Sequence, residues 1–218
     1  RVVVLYGGLS SEREVSLNTG KACGEALKTE GFDVVMIDMT VDLMTQLREA
    51  KPDVIFNALH GEWGEDGRAQ GVLDLYGKPY THSGVMASAL AMDKQRAKAV
   101  LSDVGITVPQ GKLVVREHLR DGHPLPPPYV IKPNAQGSSV GVFMVEAGAK
   151  LPPLEIIDME DMGEQVLVEP FIKGRELTVA VMDGKALAVT EIIPAEGWYD
   201  YEAKYADGGS RHIVPAQI

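Results

Sequence analysis

Apolar and polar positions alternate along this chain in blocks that change character about half-way. Val2–Tyr6 reads VVVLY, an unbroken apolar, β-branched run, as expected of a strand buried on both faces. After the turn GGLSS, a helical period runs from about Glu14 to Glu30, with Val15, Ala22, Cys23, Ala26 and Leu27 on one side and Gly31 as its stop. Asp33–Asp38 predicts a second strand, Leu43–Ala50 a helix and Asp53–Asn57 a third strand. This βαβαβ order predicts a parallel, right-handed, doubly wound sheet. Gly84–Leu90 and Asp93–Ser102 predict further helices, and the segment Gly105–Pro109 ends the pattern. Beyond it, Lys112–Val115, Tyr129–Lys132, Val140–Val145, Gln165–Glu169, Glu176–Met182 and Ala186–Ile193 read as strands separated by turns such as Asp183-Gly184. The second half therefore predicts an α+β unit with an antiparallel sheet. The boundary falls near Ser83–Ala91. Pro124–Pro128 is a stiff loop, and the acidic connector Lys150–Gly163 has no assigned form.

Composition narrows the function classes. The 218 residues suffice for one or two domains with a sizeable core. Apolar residues make up 45% and charged residues 24%, which is ordinary globular usage and excludes a disordered chain. No apolar run reaches the roughly 18 residues needed to span a membrane. Lys plus Arg is 21 against 31 Asp plus Glu, a net charge of −10. That sign disfavours a nonspecific nucleic-acid binder, so an anionic small ligand would need cations gathered locally. Cys23 has no second cysteine to pair with, which points to a reducing, cytoplasmic compartment. No signal-peptide pattern is present. The chain opens at Arg1, already in a strand pattern and without an initiator Met, and is read as a trimmed or partial chain.

Candidate chemistry sits in loops that follow strands, where open α/β sheets bind ligands. The first turn, Gly7–Glu14, lacks G-x-G-x-x-G, so a dinucleotide reading is weak. Ser11 and Glu14 form the S-x-x-E spacing of a capping box, which leaves Glu12 without a capping role. Glu12 is either a first-turn acid that complements the helix dipole or a carboxylate for a substrate ammonium. Asn57–Gly67 carries His60, Glu62, Glu65 and Asp66 among three glycines. A metal reading of these four is disfavoured, because no second His stands at helical spacing. A neutral His60 near a substrate carboxylate or on a proton path fits better. Lys132 ends an apolar strand before the small-residue loop Asn134–Gly141, which suits either a phosphate cradle or a plain hairpin with a solvated lysine. Glu169 and Glu176 bracket the apolar link around Phe171 and Ile172. They suit a nucleotide base and ribose, or merely surface acids. Gly197–Tyr205 is aromatic-rich and suits a water-excluding lid, or an exposed loop.

Six segments in order resemble the D-alanine–D-alanine ligase family of the ATP-grasp superfamily. They are GGLSSEREVSLNTG (Gly7–Gly20), ALHGEWGEDG (Ala58–Gly67), SGVMASALAMDK (Ser83–Lys94), VIKPNAQGSSVGV (Val130–Val142), VEPFIKGRELTVAV (Val168–Val181) and YDYEAKY (Tyr199–Tyr205). The resemblance runs from Val2 to about Ala216. It implies a fold of α/β and α+β parts: an N-terminal doubly wound parallel-sheet domain over 1–85, a central α+β domain over 86–173 and a truncated C-terminal domain over 174–218. It implies ATP-dependent formation of D-alanyl-D-alanine through an acyl phosphate, for peptidoglycan precursor synthesis. D-alanine and ATP are the implied partners, without nucleic acid or membrane, in a cytoplasmic homodimer.

Position by position, the resemblance implies that Glu12 binds the first D-alanine's ammonium and forms a hydrogen-bonded set with Ser138 and Tyr205. His60 would lie near that substrate, with Glu65 on the substrate loop. Lys94 and Lys132 would hold the α- and β-phosphates, and Lys204 would approach the γ-phosphate. Glu169, Phe171 and Ile172 would border adenine, and Glu176 would bind ribose. Tyr205 favours D-alanine over D-lactate as second substrate. The alternatives are a D-alanine–D-lactate or D-alanine–D-serine ligase, or a non-catalytic nucleotide-binding fragment. Two Mg²⁺ ions, replaceable by Mn²⁺, are implied, with no metal ligand in this chain and the expected ligands beyond Ile218. The segment alone is therefore expected to be inactive. The family usually places a helix at Lys150–Gly163, where Pro152-Pro153 argues against a long one.

Overall fold

The computed structural model describes residues 1–137, 141–159, 162–195, 197, 203–204, 206 and 208–218. The chain divides into two compact units. One is Arg1–Val108 with Asn134–Gly137, and the other is Pro109–Pro133 with Ser138–Ile218.

The first unit is built on β1 (Val2–Tyr6), β2 (Val34–Asp38) and β3 (Val54–Asn57), parallel and in the order β2-β1-β3. The unbroken apolar run makes β1 the middle strand, with Val3, Val4 and Leu5 fully buried. Its side chains alternate between two cores. Val3 and Leu5 pack with Leu43 and Leu47 of α2 (Leu43–Ala50) and Leu73 of α3 (Arg68–Tyr76). Val2 and Val4 pack on the other face with Ala58, Tyr6, Leu27 and Met36. Helices α4 (Val85–Met92) and α5 (Lys94–Asp103) complete the unit.

Helix α1 spans Arg13–Thr29 and turns Val15 and Leu27 of the predicted face inward, but not Ala22 and Ala26. It buries Val15, Ser16, Gly20 and Gly24, whereas Ala22 and Ala26 are exposed. The reason is close approach. A Cβ at Gly20 would run into the Tyr6 ring, and one at Gly24 would lie 2.6 Å from the Met36 sulfur. The two glycines, one turn apart, let the helix backbone rest directly on β1 and β2. The predicted Ser11–Glu14 capping box does not form either. The helix begins at Arg13 with Glu12 as its N-cap, and no side chain caps it. Instead, the Glu12 amide donates to Ser10 Oγ at 3.1 Å.

The second unit carries two antiparallel sheets. In the first, β4 (Lys112–Val115), β7 (Gln165–Pro170), β5 (Tyr129–Pro133) and β6 (Phe143–Val145) lie in the order β4-β7-β5-β6. Its core holds Leu119, Tyr129, Ile131, Val145, Ile156, Val166 and Val168. The predicted strand Val140–Val145 is found as Phe143–Val145, and Val140 lies outside the described residues. Within the acidic connector, Leu154–Asp158 forms a short 3-10 helix, which turns Ile156 and Ile157 into the core. In the second sheet, β8 (Glu176–Met182) and β9 (Lys185–Pro194) form a hairpin, and β10 (Ser210–Ile213) pairs with β9. Asp183 and Gly184 both have positive φ, 50° and 71°, as a two-residue hairpin turn of type I′ requires. Among the described residues, no helix is long and apolar enough to cross a membrane.

Candidate active site

Two loops meet beyond the carboxyl ends of β1 and β3. The first reverses at Gly7 and Gly8, with φ of 67° and 82°. Arg13 grips the end of β2 here. Its Nη1 and Nη2 donate to the two Asp38 carboxylate oxygens at 2.7 and 2.5 Å, and Nη1 also reaches the Gly8 carbonyl at 3.0 Å. The Arg13 hydrogen bonds hold the Asp38 carboxyl below its ordinary range. An acid whose folded pKa is depressed stabilises the fold above its unfolded pKa and loses that contribution as pH falls through the folded value. Asp38→Asn is therefore expected to lower the melting temperature at pH 7, by an amount that shrinks as pH drops from about 4 towards 2. Thermal melts across that range check this, and a gap that stays constant with pH contradicts it.

The second loop is held by hydroxyls from the first loop and α1. Ser10 Oγ donates to the His60 carbonyl and Ser16 Oγ to the Ala58 carbonyl, both at 2.7 Å. Thr19 Oγ1 lies 3.1 Å from His60 Nε2. From behind, Asn57 Nδ2 and Gln70 Nε2 donate to the Gly64 carbonyl at 3.0 and 2.8 Å, and both side chains are buried. The Gly61 amide donates to Glu65 Oε2 at 2.7 Å, which draws that acid back over its own loop. Arg68 lies 4.5 Å over the Trp63 ring and pairs with Glu62 at 2.5 Å. Periodicity pointed to none of Ser10, Ser16, Thr19, Asn57 and Gln70. Their signal was polarity at positions that a helix or strand end buries.

Glu12 lies at the centre, only 2% exposed. A Cβ on Gly61 would stand 2.6 Å from its Oε1, and one on Gly137 would stand 2.8 Å away. Two glycine backbones thus close over the carboxylate, which explains small residues in both loops. Glu12, His60 and Glu65 place ligand atoms within 4.8 Å of one another. His60, Glu65 and Gly137 line a cavity of about 690 Å³, together with Thr19, Lys94 and Gln136. The predicted Glu12, His60 and Glu65 thus come together, while Glu62 and Asp66 serve the loop itself. A buried carboxylate beside a half-buried imidazole suits a small cation such as an ammonium group.

Lys94 begins α5. Its Nζ donates to the carbonyls of Gln136 and Asn134 at 2.5 and 3.4 Å. Asn134 also takes the first amides of the helix. The Lys94 amide donates to its carbonyl and the Gln95 amide to its Oδ1, both at 3.0 Å. Asp93 Oδ1 accepts from the Arg96 amide at 2.9 Å. The start of α5 is therefore occupied by protein, and Lys94 carries positive charge to the cavity wall.

In the second unit, β5 pairs with β7 so that Val130 faces Glu169 and Lys132 faces Leu167. Tyr129, Ile131, Val166 and Val168 point into the core. The opposite face carries Lys132 and Glu169 on a diagonal, joined by an ion pair of 2.5 Å. The Glu169 side chain is 6% exposed and that of Lys132 26%. Phe171 and Ile172 follow β7 and are exposed, and Glu176 opens β8, also exposed. Lys204 is half-buried. The predicted Ser138 and Tyr205 lie outside the described residues.

Among the described residues, the donor group spaced for a metal ion is Glu12, His60 and Glu65. A mixed nitrogen and oxygen set does not suit Mg²⁺, which takes oxygen ligands in near-octahedral geometry. These residues fit an ammonium better than magnesium.

Two family models match the chain: the D-ala D-ala ligase N-terminus over residues 41–83, and the D-ala D-ala ligase C-terminus over residues 101–218. A D-alanine–D-alanine ligase of Cereibacter sphaeroides is 55% identical over 218 residues, which is all of this chain and 70% of that protein. One of Methylobacterium radiotolerans is 56% identical over 220 residues, covering all of this chain and 71% of that protein. A crystal structure of the Bacillus anthracis D-alanine–D-alanine ligase complexed with ATP superposes with a TM-score of 0.73. It is 34% identical and covers all of this chain and 72% of that one.

Proposed function

The chain belongs to the D-alanine–D-alanine ligase family, and from that premise we propose how its residues serve the reaction. The reaction is ATP-dependent ligation of two D-alanines to D-alanyl-D-alanine. The first D-alanine's carboxylate oxygen attacks the γ-phosphorus of ATP, the bond to the bridging oxygen breaks, and ADP leaves. The amine of the second D-alanine attacks the resulting acyl phosphate, loses a proton, and expels phosphate. Both steps gain most from placement and from positive charge near the transferred phosphoryl group.

One observation carries the assignment of the first substrate. Glu12 is a buried carboxylate whose nearest grouped neighbours, His60 and Glu65, line a small-molecule cavity. Glu12 holds the first D-alanine's ammonium, and His60 stands beside the substrate. Lys94 and Lys132 bind the α- and β-phosphates, and Lys204 binds the γ-phosphate. These lysines supply locally the positive charge that a chain of net charge −10 otherwise lacks. Glu169, Phe171 and Ile172 border adenine, and Glu176 binds ribose. Magnesium would neutralise charge on the phosphates when bound.

The test is product formation by the full-length protein with ATP and each of D-alanine, L-alanine, D-alanine plus D-lactate, and D-alanine plus D-serine. D-alanyl-D-alanine with stoichiometric ADP and phosphate is the expected result. Equal turnover of L-alanine overturns the reading, and dominant mixed products redirect it to the second substrate.

A further inference from the structure

The His60 ring is held from a direction that the reaction scheme does not use. Its Nε2 lies 3.1 Å from Thr19 Oγ1, on the second turn of α1. Its backbone is fixed separately, by Ser10 Oγ on the His60 carbonyl at 2.7 Å. Thr19 stands three residues after Ser16, so both hydroxyls project from the same side of the helix. Ser16 reaches the Ala58 carbonyl of the same loop at 2.7 Å. Thr19 and His60 both line the cavity of about 690 Å³. A β-branched residue in a helix has few χ1 choices, so its hydroxyl is a stiff partner. A hydrogen bond at one ring nitrogen fixes the ring plane, and hence where the other nitrogen points.

We propose that Thr19 is a positioning residue for His60, fixing the ring's orientation against the first amino-acid substrate. The inference rests on the reading that His60 works beside that substrate. Without Thr19, the ring can rotate about its side-chain bonds inside a cavity much larger than itself. The fraction of molecules with a productive ring then falls, and so does first-substrate use. Nucleotide binding does not depend on this contact.

The experiment uses the full-length protein and four variants: Thr19→Val, Thr19→Ser, His60→Gln and the Thr19→Val/His60→Gln double variant. Initial rates are measured against D-alanine and against ATP at one fixed pH. Thr19→Val is expected to raise the KM of the first D-alanine about tenfold, the scale of one lost hydrogen bond. It should leave the KM of ATP unchanged. Thr19→Ser should restore the KM of D-alanine to within about twofold, because it keeps the hydroxyl. In the His60→Gln background, Thr19→Val should add nothing, since the group it positions is gone. Should Thr19→Val fold poorly by its melting curve, Thr19→Ala takes its place in the same cycle.

An unchanged KM of D-alanine in Thr19→Val overturns the inference while leaving the His60 assignment intact. An equal Thr19→Val effect with and without His60 overturns it too, because the effect would then be helix packing. A His60→Gln variant with parental kinetics overturns the His60 assignment, and the Thr19 role falls with it.

Discussion

Glu12→Gln in the full-length protein is expected to lower kcat/KM for D-alanine by about 10² to 10³-fold, with little change in the KM of ATP. The substitution keeps shape and removes one charge. An ammonium bound to a buried carboxylate has given up its water, and the carboxylate replaces that solvation with full charge. A neutral amide returns only a dipole. Removing one partner of a desolvated, hydrogen-bonded charge pair typically costs about 2–5 kcal/mol. Glu12 is as enclosed as such a pair requires, at 2% exposure beneath the backbones of Gly61 and Gly137. The fold should persist, as checked by the melting temperature, because Gln fills the same space. A variant within a factor of three of the parent protein removes Glu12 from the substrate site.

Lys132→Met is the second large expected effect, and it has two readouts. The KM for ATP should rise by at least tenfold, because an ammonium facing the phosphates is lost. Stability should also fall, by roughly 1–3 kcal/mol, because a largely buried carboxylate loses its charged partner. Glu169 is the carboxylate in question, 2.5 Å from Lys132 Nζ with a side chain 6% exposed. The sequence leaves Lys132 open as a solvated lysine, but in the structure it is paired, and it is part of what makes a charged Glu169 tolerable on the sheet. Lys132→Met/Glu169→Gln isolates the stability effect and should recover stability, measured by urea unfolding. A stable single variant with unchanged KM for ATP contradicts both roles.

What the sequence reveals depends on whether an interaction is local. The run VVVLY announces a strand buried on both faces, and β1 is the middle of its sheet. The Asp183-Gly184 turn is legible because its conformation needs those residue types. Glu12 stands out in the sequence for a reason that the structure does not support. The Ser11–Glu14 capping box that set it apart is not formed, and Glu12 is itself the N-cap residue. Helix α3 escapes a periodicity reading because its pattern is weak. It buries Gln70 beside Ala69 and Leu73, and leaves Leu75 84% exposed. Gln70 is inside because its amide serves the Gly64 carbonyl, a contact that no helical period encodes. Gly20 and Gly24 look like weak points of a helix, yet they are its packing surface.

The site divides the same way. Loops after β1 and β3 are visible as glycine-rich runs with ionisable residues. The pairing of Lys132 with Glu169 is not, because β5 and β7 are neighbours in space but not in sequence order. The hydroxyls of Ser10, Ser16 and Thr19 look like ordinary helix-start polarity. They become functional candidates only when the His60 loop lies against them.

On the proposed reading, the first substrate is recognised by its ammonium at Glu12. Propionate is D-alanine without that group, and it keeps the carboxylate and the methyl carbon. The inhibition constant of propionate against D-alanine, in the full-length protein with saturating ATP, measures the ammonium's contribution with no mutation at all. Propionate binding at least about 10²-fold weaker than D-alanine is the predicted result. Propionate binding within threefold of D-alanine removes the ammonium, and with it Glu12, from recognition of the first substrate.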